Sequence, residues 1–114
     1  MKTAFIGLGV MGFPMAGYLA ARGYGVVVFN RSPDTAQRWL EQNGGSSAET
    51  PAEAARGADV VFCCVGNDDD VREVTLGESG ALQSMSPGSV LVDHTTASAT
   101  LARELHAVAG ERHV

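Results

Sequence analysis

Short apolar runs alternate along this chain with stretches in which the apolar residues recur at helical spacing. The runs that predict strands lie at residues 2–6, 25–29, 45–48, 59–65 and 89–93. In the second run Val26, Val27 and Val28 are consecutive, so both faces of that strand are apolar. Such a strand is typical of a parallel sheet that helices cover on each side.

Helices are predicted between these strands, at residues 10–22, 33–43, 51–56, from 68 onwards, and at 98–109. Met11, Met15 and Leu19 stand four residues apart in the first helix and predict one apolar stripe. Residues 111–114 are expected to approach a sixth strand. The alternation predicts an α/β fold, a Rossmann-type doubly wound parallel sheet with helices on both faces, formed as one domain by residues 1–114.

The composition narrows the classes of partner. The chain is 45% hydrophobic and 18% charged, as is ordinary for a globular domain. Its net charge of -5 and the absence of a basic stripe argue against nucleic acid or a polyanionic membrane, so an anion must be bound locally. Because no apolar run reaches membrane-spanning length and no signal-peptide pattern is present, we expect a cytoplasmic location.

Two groups of reactive side chains are given structural roles. Cys63 and Cys64 adjoin in an apolar run, so they are expected on opposite faces of a strand as buried, reduced thiols. Asp68, Asp69 and Asp70 stand in the first turn of a predicted helix, where the helix dipole favours negative charge. Capping is favoured over a metal site because ligands of a hard cation usually surround the ion, and no metal is expected.

A glycine-rich turn joins the first predicted strand to the first helix. It has the spacing G-x-G-x-x-G, with the members Gly7, Leu8, Gly9, Val10, Met11 and Gly12. Gly7 would allow the tight turn, Gly9 would let a pyrophosphate approach the backbone, and Gly12 would let the helix pack closely on the strand. The phosphates would meet the N–H groups at the start of the helix. The alternative is a turn that binds nothing, but the strand and helix setting favours a dinucleotide site.

Ligands of open α/β sheets bind beyond the carboxyl ends of the strands, where loops 7–12, 30–32, 65–67 and 93–98 form one predicted rim. Asn30 stands 18 residues after Gly12, at the position where NAD-binding domains carry a carboxylate for the ribose hydroxyls. An amide does not repel a 2′-phosphate, and the guanidinium of Arg31 can pair with one, so NADP is favoured. In the alternative, Arg31 is a solvated surface residue and Asn30 serves the ribose of NAD.

The fifth strand ends in Asp93-His94-Thr95-Thr96. The threonine hydroxyls could bind a cofactor ribose or a substrate carboxylate. The imidazole of His94 suits proton transfer near neutral pH, but only Asp93 is near it in sequence as a titratable partner. Ordinary packing is therefore the favoured role of His94.

Several segments together resemble the amino-terminal NAD(P)-binding domain of the β-hydroxyacid dehydrogenases. This group contains 3-hydroxyisobutyrate dehydrogenase, tartronate semialdehyde reductase and the glyoxylate/succinic semialdehyde reductases. The segments are 7–16, Asn30-Arg31-Ser32, 65–68, 93–96 and Arg103-Glu104-Leu105, and the resemblance covers essentially the whole chain.

The resemblance implies a hydride transfer between NADP(H), with NAD as the alternative, and a small 3-hydroxy acid or its semialdehyde, in a homo-oligomeric parent enzyme. It implies that the glycine loop and Asn30-Arg31-Ser32 hold the adenosine half of the cofactor. It places Val65, Gly66 and Asn67 at the middle of the cofactor and Thr96 by the nicotinamide ribose. Thr95 and Thr96 are the implied substrate-side residues. Ala99 stands where the family usually has proline, which makes the substrate side less rigid.

The resemblance also implies that the catalytic residues lie elsewhere in the parent protein. The family's catalytic lysine, its neighbouring asparagine and a glycine-rich substrate motif follow position 114, in or near a helical substrate and dimerisation domain. The only lysine here is Lys2, in the first strand, so no catalytic residue is expected in this chain and it is predicted to be inactive alone. The alternatives are a non-catalytic nucleotide-binding module and an imine-reductase-like relative, which fits residues 93–96 less well.

Overall fold

The computed structural model describes residues 1–95 and 98–114. The strands are β1 (Lys2–Ile6), β2 (Gly25–Phe29), β3 (Ser46–Ser47), β4 (Val60–Cys63) and β5 (Val90–Asp93). The helices are α1 (Gly12–Ala21), α2 (Pro33–Asn43), α3 (Pro51–Ala55), α4 (Asp68–Leu76) and α5 (Ala99–Glu111), with a 3-10 turn at Ala81–Gln83. Among these residues, no helix combines the length and the apolar character that crossing a bilayer requires.

The strands form one parallel sheet in the order β3-β2-β1-β4-β5. The chain runs outward from β1 to β3 and then crosses over to β4, so the strand order reverses between β1 and β4. In that register Ile6 lies between Phe29 and Cys63. The predicted Rossmann-type sheet is confirmed, and its switch point directs the search for a ligand site to the carboxyl ends of β1 and β4.

Each face of the sheet has its own hydrophobic core. Alternation along β1 sends Phe5 towards α1 and α2, and Ile6 towards α3, α4 and α5. On the first of these faces Trp39 is fully buried, and its indole N–H donates to the carbonyl of Phe13 at 3.2 Å, which joins α2 to α1. The sheet is therefore covered on both sides, as the sequence predicts.

The cysteines lie on opposite faces of the sheet as free thiols, as predicted, but only Cys63 is buried as expected. Cys63 is buried in the core beneath α3 to α5, while Cys64 is half-buried and packs against the core beneath α1 and α2. Burial raises the pKa of the Cys63 thiol to about 12, and it also raises the pKa of Cys64. Both thiols are therefore protonated near neutral pH.

The first helix starts later than the sequence predicts. It begins at Gly12, and Met11 precedes it with 68% of its surface exposed, so Met11 is not part of an apolar stripe. The buried residues of α1 are Gly12 and Ala16, and Met15 and Leu19 of the predicted stripe pack partly buried against the same core. The physical reason is that residues 9–11 are used in the turn out of β1, where the carbonyl of Gly9 accepts the N–H of Phe13.

The end of the chain also differs from the prediction. Glu111 is still helical, and His113 has a positive φ of 61°. The N–H of Val114 donates to Ala109 and that of His113 donates to Gly110, which is the Schellman pattern of a helix end. The predicted extended approach to a sixth strand is therefore wrong over residues 111–113.

Candidate functional site

The carboxyl ends of β1, β2, β4 and β5 open into one groove of about 840 Å³. Most of the predicted cofactor residues line it, namely Gly7, Gly9, Val10, Met11, Gly12, Asn30, Arg31, Val65 and Gly66, with Thr95 of the predicted substrate side. Leu8, Ser32 and Asn67 do not line it. Thr96 lies outside the described residues.

The three glycines of the first loop stand in different surroundings. Gly7 has a φ of +100°, and a side chain there would overlap the carbonyl of Cys64. A side chain at Gly12 would overlap the carbonyl of Gly7. At Gly9 an added Cβ would meet nothing within 4 Å, although the residue lines the groove. Gly7 and Gly12 are therefore required by the fold itself, whereas Gly9 leaves space in the groove at the start of α1.

Asn30 fixes the loops at the end of β2. Its side-chain oxygen accepts the N–H of Leu8 at 2.9 Å, and its amide donates to the carbonyl of Ser32 at 3.2 Å. The side chain of Leu8 is in the core, 3% exposed, so Leu8 offers the loop only its backbone. Asn30 therefore joins the glycine loop to the turn before α2, a positioning role that the sequence did not indicate.

Arg31 is paired with two carboxylates of α4. One guanidinium nitrogen lies 2.8 Å from Asp70 Oδ1 and 3.3 Å from Glu73 Oε2, and 69% of the arginine side chain is exposed. The hydrogen bond to Asp70, then the charges of Asp70 and Glu73, raise the pKa of Arg31 above its ordinary value. The guanidinium is thus held at the groove wall.

The sequence patterns did not predict this wall of the groove. It is formed by one face of α4 and the residue after it, with Asp70, Glu73, Val74 and Gly77 at helical spacing. The sequence already shows this helical spacing, which predicts that the four residues share one face of a helix. What the sequence lacked was the direction of that face, which depends on how α4 packs against the 3-10 turn at Ala81–Gln83 and against α5.

Thr95 braces the loop after β4. Its hydroxyl accepts the N–H of Val65 at 2.9 Å, and its own N–H donates to Asp93 Oδ1 at 2.9 Å. His94 is exposed at the groove and stacks on Phe62 with ring centroids 6.1 Å apart, which agrees with the packing role.

The three consecutive aspartates have separate partners in and around the first turn of α4. Asp68 accepts the backbone N–H of Ser98, and hydrogen bonding from the side chain and then the backbone of Ser98 lowers the pKa of Asp68. Asp69 lies 3.6 Å from Arg72, and Asp70 holds Arg31. Asn67 caps the helix by accepting the N–H of Asp70 at 2.9 Å. Within residues 1–95 and 98–114, no three His, Cys, Asp or Glu side chains are grouped as metal ligands.

The sequence is similar to a family of NAD-binding domains and to known or probable oxidoreductases. Residues 2–114 match the family model described as the NAD binding domain of 6-phosphogluconate dehydrogenase. An uncharacterized oxidoreductase of Shewanella frigidimarina is 60% identical over 106 residues, which are 93% of this chain and 36% of that protein. A probable mitochondrial 3-hydroxyisobutyrate dehydrogenase-like protein of Arabidopsis thaliana is 40% identical over 111 residues, 97% of this chain and 37% of that protein.

Solved structures share the fold. The 3-hydroxyisobutyrate dehydrogenase of Mycobacterium tuberculosis, solved with L-serine, is 32% identical with a TM-score of 0.86, over 97% of this chain and 37% of that one. Psf3 in complex with NADP+ and 2-OPP is 30% identical with a TM-score of 0.88, over 97% of this chain and 39% of that one. An imine reductase from Pseudomonas is 26% identical with a TM-score of 0.80, over 98% of this chain and 38% of that one. This chain thus spans less than two fifths of each of these proteins.

Proposed function

Because this chain belongs to the family of 6-phosphogluconate dehydrogenase-type NAD-binding domains, in the form found in the β-hydroxyacid dehydrogenases, we propose that it serves an oxidoreductase of that type. The proposed enzyme moves hydride between NADP(H) and a small 3-hydroxy acid or the matching semialdehyde. Residues 1–114 would be its cofactor domain, and a helical substrate and dimerisation domain would complete a homo-oligomeric parent protein.

The observation that carries the proposal is the open space at Gly9. This residue lines the groove beside the start of α1, at the point where the strand order reverses, and nothing occupies the direction of its missing side chain. The first N–H groups of a helix have no intrahelical partners and can bind an anion at the helix start. A pyrophosphate fits such a place because it needs close approach to backbone N–H donors.

The choice of NADP rests on the end of β2. Asn30 supplies no carboxylate to repel a 2′-phosphate, and Arg31 lines the groove next to it. The pairing of Arg31 with Asp70 and Glu73 does not remove it from reach, because exposed ion pairs contribute little and exchange partners readily. The resemblance in fold to Psf3, whose structure holds NADP+, agrees with this choice.

The bound nicotinamide would supply or accept the hydride. The residues of this chain would bind and orient it: the glycine loop at the phosphates, Asn30-Arg31-Ser32 at the adenosine, and Val65, Gly66 and Asn67 at the middle, Asn67 by capping α4. Thr95 would hold the loop after β4 through the N–H of Val65. Thr95 and Thr96 are the proposed substrate-side residues, with Thr96 also beside the nicotinamide ribose. The acid/base group would come from the rest of the parent protein.

Calorimetric titration of the purified protein with NADPH, NADH and ADP-ribose tests the binding step. We expect both dinucleotides to bind, with NADPH the tighter, and ADP-ribose to retain part of the affinity because it keeps the pyrophosphate contacts. If none of the three ligands bound the protein in these titrations, the proposed site would be refuted.

An imine-reductase-like activity is the second candidate. The Pseudomonas imine reductase is similar in fold at 26% identity, and the Asn30-Arg31 pair fits either class. Assays of the parent protein with a panel of 3-hydroxy acids, their semialdehydes and cyclic imines separate the two. A third reading, a nucleotide-binding module without catalysis, predicts binding in the titration and no turnover with any member of the panel.

The cytoplasm is the proposed location. The Arabidopsis relative is named as mitochondrial, so cell fractionation with an antibody against the protein is the relevant test. Recovery with a membrane or organelle fraction would contradict the proposal.

A further inference from the structure

The ion pair at the adenosine end of the groove joins two parts of the chain that are far apart in sequence. Arg31 follows β2, whereas Asp70 and Glu73 lie on α4, and all three line the groove. The contacts measure 2.8 Å to Asp70 and 3.3 Å to Glu73. A ligand that needs Arg31 must therefore compete with two carboxylates that already hold it.

The backbone is anchored on both sides of this pair. Arg31 directly follows Asn30, whose side chain is bonded to the glycine loop and to Ser32. Asp70 is fixed by its own N–H, which donates to the capping oxygen of Asn67, and only 25% of its side chain is exposed. The side chain of Asp70 is thus more buried than that of Arg31, of which 69% is exposed, so the guanidinium has the greater freedom to turn towards a ligand.

The local charge disfavours a 2′-phosphate. One guanidinium faces two carboxylates, so the side chains of this cluster sum to one negative charge before any ligand binds. A ribose with a free 2′-hydroxyl can donate a hydrogen bond to a carboxylate, but a 2′-phosphate brings like charge. The carboxylate that NAD-binding domains usually carry at the end of β2 is absent here, and α4 supplies carboxylates to the same end of the groove.

We propose that Asp70 and Glu73 set the cofactor preference of the groove by competing with the 2′-phosphate of NADP(H) for Arg31. The inference rests on the proposed dinucleotide site and deepens it. Arg31 draws the preference towards NADPH and the two carboxylates draw it towards NADH, so the preference is smaller than an unpaired arginine would give.

The test measures dissociation constants of NADPH and NADH for the wild type, Asp70→Asn, Glu73→Gln and the double variant. Each substitution keeps the size of the side chain and removes one charge. We expect the affinity for NADPH, relative to that for NADH, to rise by about twofold to fivefold for Asp70→Asn, and further for the double variant. An unchanged or lower ratio in the double variant overturns the inference.

Asp69→Asn is the matched control. It makes the same change in the same turn of α4, but Asp69 does not line the groove and faces Arg72 instead. Both affinities should stay at the wild-type value. A rise in the ratio equal to that of Asp70→Asn would mean that net charge acts on the ligand from a distance, which overturns the role of the Arg31 pair.

A second background tests the competition itself. With Arg31→Ala in place, Asp70→Asn should raise the relative NADPH affinity less than it does in the wild type, because no guanidinium is released. An undiminished rise would mean direct repulsion alone and would overturn competition. Binding of both dinucleotides with unchanged ratios refutes this inference only, whereas failure of the wild type to bind either one refutes the proposed function as well.

Discussion

At the scale of single residues, Gly9 and Gly12 belong to one motif but are constrained differently. A side chain at Gly12 would overlap the backbone of Gly7, so this glycine is needed to bring α1 against β1. Gly9 touches nothing in the direction of a side chain. A side chain at Gly12 should therefore impair folding, whereas a side chain at Gly9 should impair binding and leave the fold intact.

Gly9→Val should abolish dinucleotide binding and leave a folded protein, because the new side chain would occupy the space proposed for the pyrophosphate. Calorimetry measures the affinity, and circular dichroism with thermal unfolding checks the fold. Gly110→Val is the control, since Gly110 lies on α5 away from the groove and a side chain there also meets nothing within 4 Å. Unchanged affinity in Gly9→Val would show that the glycine loop is not the site.

Arg31→Ala should weaken NADPH binding by about tenfold while NADH binding changes little, because the guanidinium is the cation proposed for the 2′-phosphate. Adding Asn30→Asp should move the preference further towards NADH by bringing a carboxylate to the end of β2. The titrations should be run at low and moderate salt, because screening weakens an exposed ion pair. Equal loss for both cofactors would mean that Arg31 does not bind the 2′-phosphate.

At the scale of elements, the helix starts are of two kinds. Thr50, Asn67 and Ser98 accept the N–H of the third residue after them, and so cap α3, α4 and α5. Ser32 precedes α2 as predicted, but its side chain makes no capping hydrogen bond. The start of α4 matters most to the site because it carries Asp70.

Asn67→Ala should destabilise the protein by about 1 kcal/mol, because it leaves an N–H of the first turn of α4 without its partner. The measurement is chemical denaturation followed by circular dichroism. Ser32→Ala should change the free energy of unfolding by much less, since no side-chain cap is lost there. Equal losses in the two variants would contradict the assignment of the α4 cap.

At the scale of the whole molecule, the doubly wound sheet makes the groove by bringing four strand ends to one edge. Its walls come from segments on both sides of the switch point, so no single segment contains the site. The two cores give the edge a rigid base on each face of the sheet.

The 114-residue chain alone should bind NADPH but transfer no hydride with 3-hydroxy acids or semialdehydes. We propose that the acid/base group comes from the rest of the parent protein, and bound cofactor without an acid/base group and a substrate wall leaves the barrier high. Nicotinamide absorbance measures turnover, with the longer parent protein as the positive control. Turnover by the short chain at the rate of the parent protein would refute the proposal that the acid/base group comes from the rest of that protein.

The local patterns were enough to predict the sheet, its helices and the glycine loop. Strand and helix signals depend on near neighbours: the apolar runs, the recurrence of apolar residues at helical spacing, and the glycine spacing of residues 7–12. Backbone conformation and the alternation of faces follow from the same short range. Boundaries were less certain, as Met11 shows, because a residue in a turn can match a helical spacing.

What the sequence by itself determined is the class of fold and the location of the candidate groove at the strand ends. Only the tertiary structure decided which side chains meet there. Asn30 and Leu8 are 22 positions apart, Thr95 and Val65 are 30, and Arg31 and Asp70 are 39. The physical reason is that the order of the strands and the packing of α4 bring these groups together. Neither arrangement can be inferred from the residues that adjoin each group along the chain.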